Sequence, residues 1–311
     1  MIITVTLNPA LDRFYQLSAL IPGVINRAPV PTLGAGGKGL NVSRVLHSLG
    51  DETLATGYLG GFTGKAIAQM LKKEGIPTSF VSCRKETRQK IAICDADGEV
   101  TEINEPGPVI SSPEYSSLFD HFTRLIKTNT VQFVTLCGSL SPGIHDAVYS
   151  ELICIAHKFG TPAALDTSGA ALDEGVKAAP MIIKPNLSEL KELAGNKDDQ
   201  TGDIIKEARS LLQSDKQIIC VTDGARSAWL ITRKSVWRAQ PPVVNCRCTL
   251  GSGDAFLAGL LHSLLKSKDM PDALKMATAL GAANASSVGA GIFDRIAVED
   301  CIQRTGIYPV I

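Results

Sequence analysis

The order of apolar and polar positions from residue 131 onward predicts strands and helices in alternation. Short apolar runs, typical of buried strands, occupy residues 131–137, 163–166, 181–184 and 217–222, and a hairpin is expected from 228–232 and 235–239. Helical patterns occupy residues 146–159, 187–194, 201–214, 252–266 and 273–285. This alternation predicts an α/β fold with a mostly parallel sheet, in which ligands bind beyond the carboxyl ends of the strands.

The first third of the chain predicts a second, smaller structure. After an apolar strand at residues 1–7, extended pieces are expected at 14–20, 24–30, 89–95 and 99–104. Prolines at positions 22, 29 and 31 disfavour helix, and Asp97-Gly98 is a strong hairpin turn signal. We expect one domain over residues 1–311, with insertions at about 12–33 and 87–106 that form a small antiparallel sheet. Such a sheet fits a lid over a cleft, and surface decoration is the alternative.

Composition narrows the functional classes. The chain has 311 residues, 44% of them hydrophobic, and its 31 basic and 31 acidic residues give no formal net charge. A balanced charge provides no attraction to nucleic acid or to an anionic membrane surface, and no apolar run has the length of a membrane span. The N-terminus fits a strand better than a signal peptide. Eight scattered cysteines without a C-x-x-C pair suit a reducing cytoplasm and disfavour a zinc site.

The segment Gly251-Ser252-Gly253-Asp254 joins a glycine-rich turn to an apolar helix. Small residues let the backbone approach a ligand, and the first N–H groups of a helix have no intrahelical partner. A phosphate, or the charge on a transferring phosphoryl group, fits such a site, and Asp254 is placed to take a proton from an attacking hydroxyl. A capped helix with an acid in its first turn explains the segment equally well when it is taken alone.

A second glycine-rich segment runs from Gly34 to Ser43 and contains Lys38. Its glycines match G-x-G-x-x-G, but the prolines before it disfavour the central strand that a dinucleotide site requires. Its spacing is not that of a Walker loop either. A close-approach loop with a lysine and an amide, followed by a helix from about residue 41, predicts anion binding.

Further polar positions follow predicted strands. Asp12 is placed to accept hydrogen bonds from hydroxyls, or to serve as a turn residue. Asn186 and Glu189 share a helical face and suit a hydrated Mg²⁺, although an N-cap Asn with an acid three residues later is the favoured reading of this pair on its own. The Thr222-Asp223-Gly224 segment fits backbone contact with a nucleotide, or a tight turn.

Together these motifs resemble the ribokinase-like carbohydrate kinases of the phosphofructokinase-B type. The resemblance spans nearly the whole chain and rests on Gly-Gly-Lys-Gly-Leu-Asn at 36–41, Asn186-x-x-Glu189 and Gly-Ser-Gly-Asp at 251–254, in the family's order and spacing. Residues 6–12 and Lys38 are similar to the branch of 1-phosphofructokinases and tagatose-6-phosphate kinases. The resemblance implies a ribokinase-like three-layer αβα core with a β lid. It also implies transfer of a phosphoryl group from ATP to tagatose 6-phosphate, fructose 1-phosphate or fructose 6-phosphate.

The resemblance implies roles for individual residues. Asp254 would be the catalytic base, and the N–H groups of Gly251, Ser252 and Gly253 would form an anion hole. The residues that would bind the sugar phosphate are Asp12, Arg27, Gly37, Lys38, Asn41, Arg88 and Ser139. The residues that would face ATP are Lys184, Asn186, Thr222, Gly224 and Asn284. Mg²⁺ would be held by Asn186 and Glu189, in part through water.

Three further implications concern the substrate, activation by a monovalent cation and assembly. Ser252 stands where the family often has alanine, and it favours tagatose 6-phosphate slightly. Residues 245–249 lack the acid that often precedes the anion hole and helps to bind a monovalent cation in relatives, so K⁺ activation stays open. Lid sheets of similar proteins often pair two subunits, and an apolar lid face around Ile91, Ile93 and Ile103 would suit a homodimer.

Two other functions remain as alternatives. A kinase of an unphosphorylated sugar or a nucleoside would gain nothing from the clustered cations Lys38, Arg27 and Arg88. A non-catalytic sensor of sugar phosphates or nucleotides usually lacks the base or the metal-binding acid, whereas Asp254 and Glu189 are both present.

Overall fold

A ten-stranded sheet lies at the centre of the structure, a computed structural model that describes residues 1–96, 100–195 and 203–310. In chain order the strands of the described residues are β1 (Ile2–Thr6), β2 (Ala10–Gln16), β3 (Thr32–Gly36), β4 (Thr53–Gly60), β5 (Val81–Cys83), β6 (Arg88–Cys94), β7 (Val100–Asn104), β8 (Phe133–Cys137), β9 (Ala163–Asp166), β10 (Ile182–Ile183), β11 (Ile218–Asp223), β12 (Ser227–Ile231), β13 (Val236–Gln240) and β14 (Gly306–Pro309). The helices are α1 (Lys38–Ser48), α2 (Gly61–Lys73), α3 (Ser112–Thr128), α4 (Val148–Lys158), α5 (Ala170–Lys177), α6 (Leu187–Leu193), α7 (Ile204–Ser210), α8 (Ser252–Leu265), α9 (Met270–Ala285) and α10 (Arg295–Arg304).

The central sheet is mostly parallel, as the alternation of strands and helices predicts. Its spatial order is β14-β13-β12-β11-β10-β9-β8-β1-β4-β5, and the pairs from β11 to β5 are parallel. The pairs from β11 to β14 are antiparallel, and the predicted hairpin at 228–232 and 235–239 is confirmed as β12 and β13. The carboxyl ends of the parallel strands therefore meet at one edge, where a ligand site is expected.

Helices cover both faces of this sheet, which gives the three-layer core. In β1, Ile2 packs into one apolar cluster while Ile3 and Val5 pack into the other, because successive side chains of a strand point to opposite faces. The first cluster contains buried side chains of α1, α8 and α9, and the second contains those of α3, α4 and α5. Both faces of the inner parallel strands are therefore buried, which is why most of their side chains are apolar.

A second sheet of four strands, in the order β3-β2-β6-β7, forms the lid. Its outer pairs are antiparallel as predicted, but the central pair β2–β6 is parallel. The lid is thus mixed, because its two halves come from separate insertions that run in the same direction. The piece predicted to be extended at 24–30 is an exposed connection outside the strands, and the predicted turn at Asp97-Gly98 lies outside the described residues.

Several elements differ from the sequence prediction. Helix α1 begins at Lys38 and not near residue 41, so the glycine loop is shorter than expected. The helix predicted at 201–214 is described from Ile204, and residues 201–202 lie outside the described residues. The elements without a predicted counterpart are β3, β4, β5, α2, α3, α5, α10 and β14. In the part of the chain that the structure describes, no helix is long and apolar enough to cross a membrane.

Candidate active site

A polar cleft of about 650 Å³ lies between the carboxyl ends of the central strands and the inner face of the lid. The cleft brings together most of the predicted site residues, namely Asp12, Gly37, Lys38, Asn41, Arg88, Ser139, Lys184, Asn186, Glu189, Thr222, Gly251, Gly253 and Asp254. Segments that are more than 200 residues apart in the sequence thus share one cavity.

The N-terminus of α8 carries Asp254 into this cleft. Gly251 precedes the helix in a left-handed conformation with φ of 77°, and a Cβ there would lie 2.8 Å from the Cα of Ala290, so the turn requires glycine. Asp254 is buried, and its Oδ2 accepts a hydrogen bond of 2.8 Å from Nδ2 of Asn41. The site therefore has a carboxylate beside helical N–H groups, as general-base chemistry on a phosphoryl acceptor requires.

The pKa of Asp254 is raised, chiefly because burial penalises the charged carboxylate. The nearby carboxylate of Asp166 raises it further, whereas Lys38, the hydrogen bond from Asn41, and Lys184 lower it. A carboxylate with a raised pKa is a stronger base than an exposed one.

Asp166 is a site residue that the sequence motifs did not reveal. Its carboxylate has no solvent exposure, and its oxygens lie 2.7 Å from Nζ of Lys38 and 3.1 Å from Nζ of Lys184. Burial alone would raise the pKa of Asp166, but Lys184 and Lys38 hold it below its usual value. Burial likewise acts to lower the pKa of Lys38, yet Asp166 and Asp254 raise it well above its usual value. The mutual attraction of Asp166 and Lys38 therefore favours the charged form of both.

Asp12, on β2, faces the cleft from the lid. Burial raises its pKa to about 6, although Lys90, Arg44 and Arg88 act to lower it. Among the described residues, its Oδ1 has no hydrogen-bond partner. An unsatisfied buried carboxylate oxygen is costly unless a ligand supplies a donor, and sugar hydroxyls are such donors.

The lid contributes cations from β6. Arg88 donates hydrogen bonds to the carbonyl oxygens of Asn8 and Glu105, and Lys90 lies 2.9 Å from Oε1 of Glu102 on β7. Both cations line the cleft, because alternate residues of β6 face inward. Lys90 was not predicted as a site residue. Its position two residues after Arg88 in a predicted strand indicates that both side chains lie on the same face. Arg27 was predicted to join these cations, but it is exposed and does not line the cleft.

Asn186 and Glu189 form a capping box at the start of α6. Oδ1 of Asn186 accepts from the Glu189 N–H at 2.9 Å, and Oε2 of Glu189 accepts from the Asn186 N–H at 2.8 Å. The helix-capping role considered from the sequence is thus present, and both residues also line the cleft. Because the box uses only one carboxylate oxygen of Glu189, the pair fits a hydrated Mg²⁺ that takes its other ligands from water and phosphate.

A neighbouring apolar pocket of about 440 Å³ opens from the cleft, and Thr222, Thr249 and Gly253 line both cavities. Gly224 and Ser252, two predicted residues, line this pocket with Pro241, Pro242, Val243, Val244 and Phe256. The flat, largely apolar base of a nucleotide fits between such walls. Asn284 does not line either cavity. It is fully buried and bonds the Leu250 carbonyl, the Ser252 hydroxyl and the Gly291 N–H, so it braces the glycine turn from behind.

Comparison with known proteins finds a family model and solved structures that match nearly the whole chain. A family model described as pfkB family carbohydrate kinase matches residues 5–296. Among solved structures, a Staphylococcus aureus protein provisionally assigned as a phosphofructokinase is 31% identical with a TM-score of 0.82, and the match covers 100% of this chain and 99% of that one. A Thermotoga maritima protein provisionally assigned as a 1-phosphofructokinase is 26% identical with a TM-score of 0.89, and both chains are covered completely.

Phosphofructokinase-2 from Escherichia coli is a third similar structure. In complex with potassium it is 25% identical to this chain with a TM-score of 0.88, and the match covers 97% of this chain and 98% of that one. The same protein is also known in a tetrameric inhibited form. The match along nearly the whole length confirms the fold predicted from the sequence.

Proposed function

Because the chain belongs to the pfkB family of carbohydrate kinases, we propose that it transfers the γ-phosphoryl group of ATP to a hydroxyl of a ketohexose monophosphate, giving a ketohexose bisphosphate and ADP. The observation that carries the proposal is the arrangement of two connected cavities around the N-terminus of α8. The polar cleft has the acceptor-binding groups and lid cations, and the apolar pocket suits the base of the nucleotide. Gly253 lines both cavities, Gly251 and Asp254 line the cleft, and Ser252 lines the apolar pocket.

The chemistry needs one bond to form and one to break. The acceptor oxygen of the sugar bonds to the γ-phosphorus, the bond from that phosphorus to the bridging β–γ oxygen breaks, and Asp254 takes the hydroxyl proton. The N–H groups of Gly251, Ser252 and Gly253 stabilise negative charge on the transferring group. Lys184, whose Nζ lies 3.5 Å from the position of a Cβ at Gly253, is proposed to bind phosphate oxygens of ATP. When bound by Asn186 and Glu189, Mg²⁺ supplies additional positive charge beside the nucleotide phosphates.

The substrate's own phosphate is proposed to bind among Lys38, Arg88 and Lys90. These cations face the cleft, and their carboxylate partners are only Asp166 for Lys38 and Glu102 for Lys90, while Arg88 bonds backbone carbonyls, so a neutral acceptor would add no anion to the cluster. This arrangement favours a sugar phosphate over an unphosphorylated sugar or a nucleoside. Tagatose 6-phosphate, fructose 1-phosphate and fructose 6-phosphate all carry the required groups, and Ser252 favours the first.

The remaining proposals concern surroundings and assembly. We propose that the reaction takes place in the cytoplasm, because the eight cysteines are free thiols. Two copies are proposed to pair through the outer face of the lid. Activation by K⁺ is a proposal for the segment 245–249, based on the potassium complex of the Escherichia coli relative.

A substrate panel tests the function directly. ADP release from Mg-ATP is coupled to NADH oxidation, with the three ketohexose phosphates and with fructose, ribose and adenosine as acceptors. We expect kcat/KM to be highest for one of the phosphates. Turnover only with unphosphorylated acceptors would contradict the roles of Lys38, Arg88 and Lys90, and ADP release with none of the six would favour a sensor.

The base assignment has its own test. We expect Asp254→Asn to lose several orders of magnitude in kcat while it still binds ATP, because the variant keeps the anion hole but cannot accept the proton. Asp272→Asn is the matched control, since Asp272 also lies in the first turn of a helix but outside the cleft. An active Asp254→Asn enzyme would overturn the base role.

A further inference from the structure

Arg44 connects four separate parts of the fold near the reacting centre. Its guanidinium donates to Oδ1 of Asn41 at 2.9 Å, to the Ala290 carbonyl at 3.2 Å and to the Ala35 carbonyl at 2.8 Å. On its outer side it pairs with Glu74, with 2.7 Å between Nε and Oε2. The Arg44 side chain is only 13% exposed, so these contacts replace most of its water. Arg44 itself does not line the cleft.

The contact with Asn41 has a chemical consequence for Asp254. A side-chain amide has one end that accepts and one end that donates, whereas a guanidinium only donates. Arg44 can therefore form this hydrogen bond only when the Asn41 amide points Oδ1 toward the guanidinium. The Nδ2 end is then turned toward Asp254, and it donates to Oδ2 at 2.8 Å. Two successive hydrogen bonds thus run from Arg44 through Asn41 to the carboxylate.

We propose that Arg44 is a positioning residue for phosphoryl transfer, which fixes the orientation of the Asn41 amide and so keeps a hydrogen-bond donor on the Asp254 carboxylate. The inference rests on the proposed role of Asp254 as the base. It assigns no contact between Arg44 and either substrate.

A donor on the carboxylate stabilises its ionised form, which is the form that can take the proton. Without Arg44 the amide is free to turn and present Oδ1 to Asp254, and an acceptor in that place favours the protonated acid. The other charged groups that face Asp254 are Asp166, which raises its pKa, and Lys38 and Lys184, which lower it. Among the described residues, none of these three groups has a hydrogen bond or ion pair with Arg44, so replacing Arg44 removes none of their contacts.

The contact with Ala290 adds a steric link to the same centre. Gly251 packs so closely against Ala290 that a Cβ at Gly251 would lie 2.8 Å from its Cα. By holding the Ala290 carbonyl, Arg44 supports the backbone behind the glycine turn. By holding the Ala35 carbonyl, it ties this turn to β3 at the base of the lid. Loss of Arg44 should therefore affect kcat more than the KM for ATP.

The test is the pH dependence of kcat for Arg44→Met, measured with saturating sugar phosphate and ATP. We expect the acid limb of kcat to move up by about one pH unit, so that kcat falls about tenfold at pH values below the limb, with the KM for ATP within about twofold of the wild type. Saturation matters because Arg44 also lowers the pKa of Asp12, and that titration affects sugar binding and appears in the KM for sugar. The double variant Arg44→Met/Glu74→Gln gives the same test without a stranded carboxylate.

Arg295→Met is the matched control. Arg295 donates to the Ser48 carbonyl at the other end of α1 and makes no contact with Asn41, so its loss perturbs the same helix without turning the amide. We expect its kcat profile to match the wild type. An acid limb that stays in place in both folded Arg44 variants, as judged by thermal melting, would overturn the inference.

Asp254→Asn, assayed in parallel, separates the two hypotheses. If Asp254→Asn is inactive while the acid limb of the Arg44 variants does not move, the positioning role is wrong and the base role stands. If Asp254→Asn is active, the base role is wrong and the positioning role, which depends on it, falls as well. An inactive Asp254→Asn with a shifted limb for the Arg44 variants supports both.

Discussion

Nζ of Lys38 lies 2.7 Å from Oδ1 of Asp166, a carboxylate that is completely buried at the end of β9. The other oxygen of the same carboxylate lies 3.1 Å from Nζ of Lys184. One anion therefore holds two cations that the proposed function assigns to different substrates, Lys38 to the sugar phosphate and Lys184 to ATP. The two binding regions share a charged floor, and a change in Asp166 should be felt in both.

Asp166→Asn should destabilise the protein by about 3–5 kcal/mol, because it leaves two lysines near each other without their counter-charge. Since the pKa of Asp166 is lowered in the folded protein, its contribution is present above its unfolded pKa and is lost as pH falls toward the folded value. Urea unfolding at pH 7 and at acid pH measures both effects. The control is Asp223→Asn, which removes a surface pair with the exposed Arg226 and should lower the free energy of unfolding far less, because water screens that pair. Equal urea midpoints for the two variants would contradict the prediction.

The motifs that lie at the ends of predicted strands could be assembled from the sequence. Asp12, Lys38, Asn186 and Asp254 each follow or adjoin an apolar run, and parallel strands bring such positions to one edge. The sequence therefore predicted the fold and most of the cleft without any knowledge of distances.

Residues whose role depends on pairing between distant elements could not be found in this way. Asp166 ends a predicted strand, but only the pairing of β9 with β10 places it beside Lys184, and only the position of the α1 N-terminus places it beside Lys38. Lys90 and Glu102 pair across two lid strands whose joining turn lies outside the described residues. Arg27 and Asn284 were assigned through the resemblance alone, and local conformation places one in an exposed connection and the other behind the glycine turn.

Gly36→Ala should impair sugar binding, because a Cβ at Gly36 would overlap the carboxylate of Asp12 on the paired strand. Asp12 would have to move away from the cleft, so the KM for the sugar phosphate should rise by about tenfold or more while the KM for ATP stays the same. Gly34→Ala is the matched control on the same strand, since its Cβ would meet only the Phe14 ring at 3.7 Å, an ordinary contact. Steady-state kinetics of both variants give the answer, and equal KM values for the sugar phosphate would show that Asp12 does not set its affinity.

The raised pKa of Asp12 predicts a pH-dependent affinity for the sugar. With a pKa of about 6, Asp12 is neutral in the folded protein at pH 5 and ionised at pH 7. The ionised carboxylate accepts hydrogen bonds from sugar hydroxyls, so the KM for the sugar phosphate should fall as pH rises through 6. The free energy of unfolding should fall as pH rises, so stability decreases while sugar affinity increases. The reason is that the folded protein binds the proton more tightly than the unfolded chain between about pH 4 and 6.

Asp12→Asn isolates both effects. Relative to this variant, the wild type should lose stability as pH rises from about 4 to 6, as measured by urea unfolding at each pH. The KM of the variant for the sugar phosphate should lack the inflection near pH 6. An inflection that persists in Asp12→Asn would assign it to another group, such as the phosphate of the substrate.

The outer face of the lid has an apolar row that suits a second copy of the chain. Its apolar members are Leu33 on β3, Ile91 on β6 and Ile103 on β7, which are in register through Arg13 on β2, and Leu33 and Ile103 are 44% and 56% exposed. A self-complementary face of this kind is the usual basis of a twofold dimer. We expect the wild type to sediment as a dimer, and Ile103→Glu to sediment as a monomer, because the variant places an unpaired charge in the interface.

Ile296→Glu is the control for the added charge itself. Ile296 is 74% exposed on α10, on the central domain and not on the lid, so its variant should remain a dimer. Sedimentation velocity on the three proteins at matched concentration decides the matter. A dimeric Ile103→Glu protein would place the interface elsewhere, and a monomeric wild type would leave the apolar row without a role in assembly. If Ile103→Glu is a monomer, the KM for the sugar phosphate should be measured on the same sample. A raised KM would indicate that dimer formation also holds Arg88 and Lys90 in place, because both lie on the strand that carries Ile91.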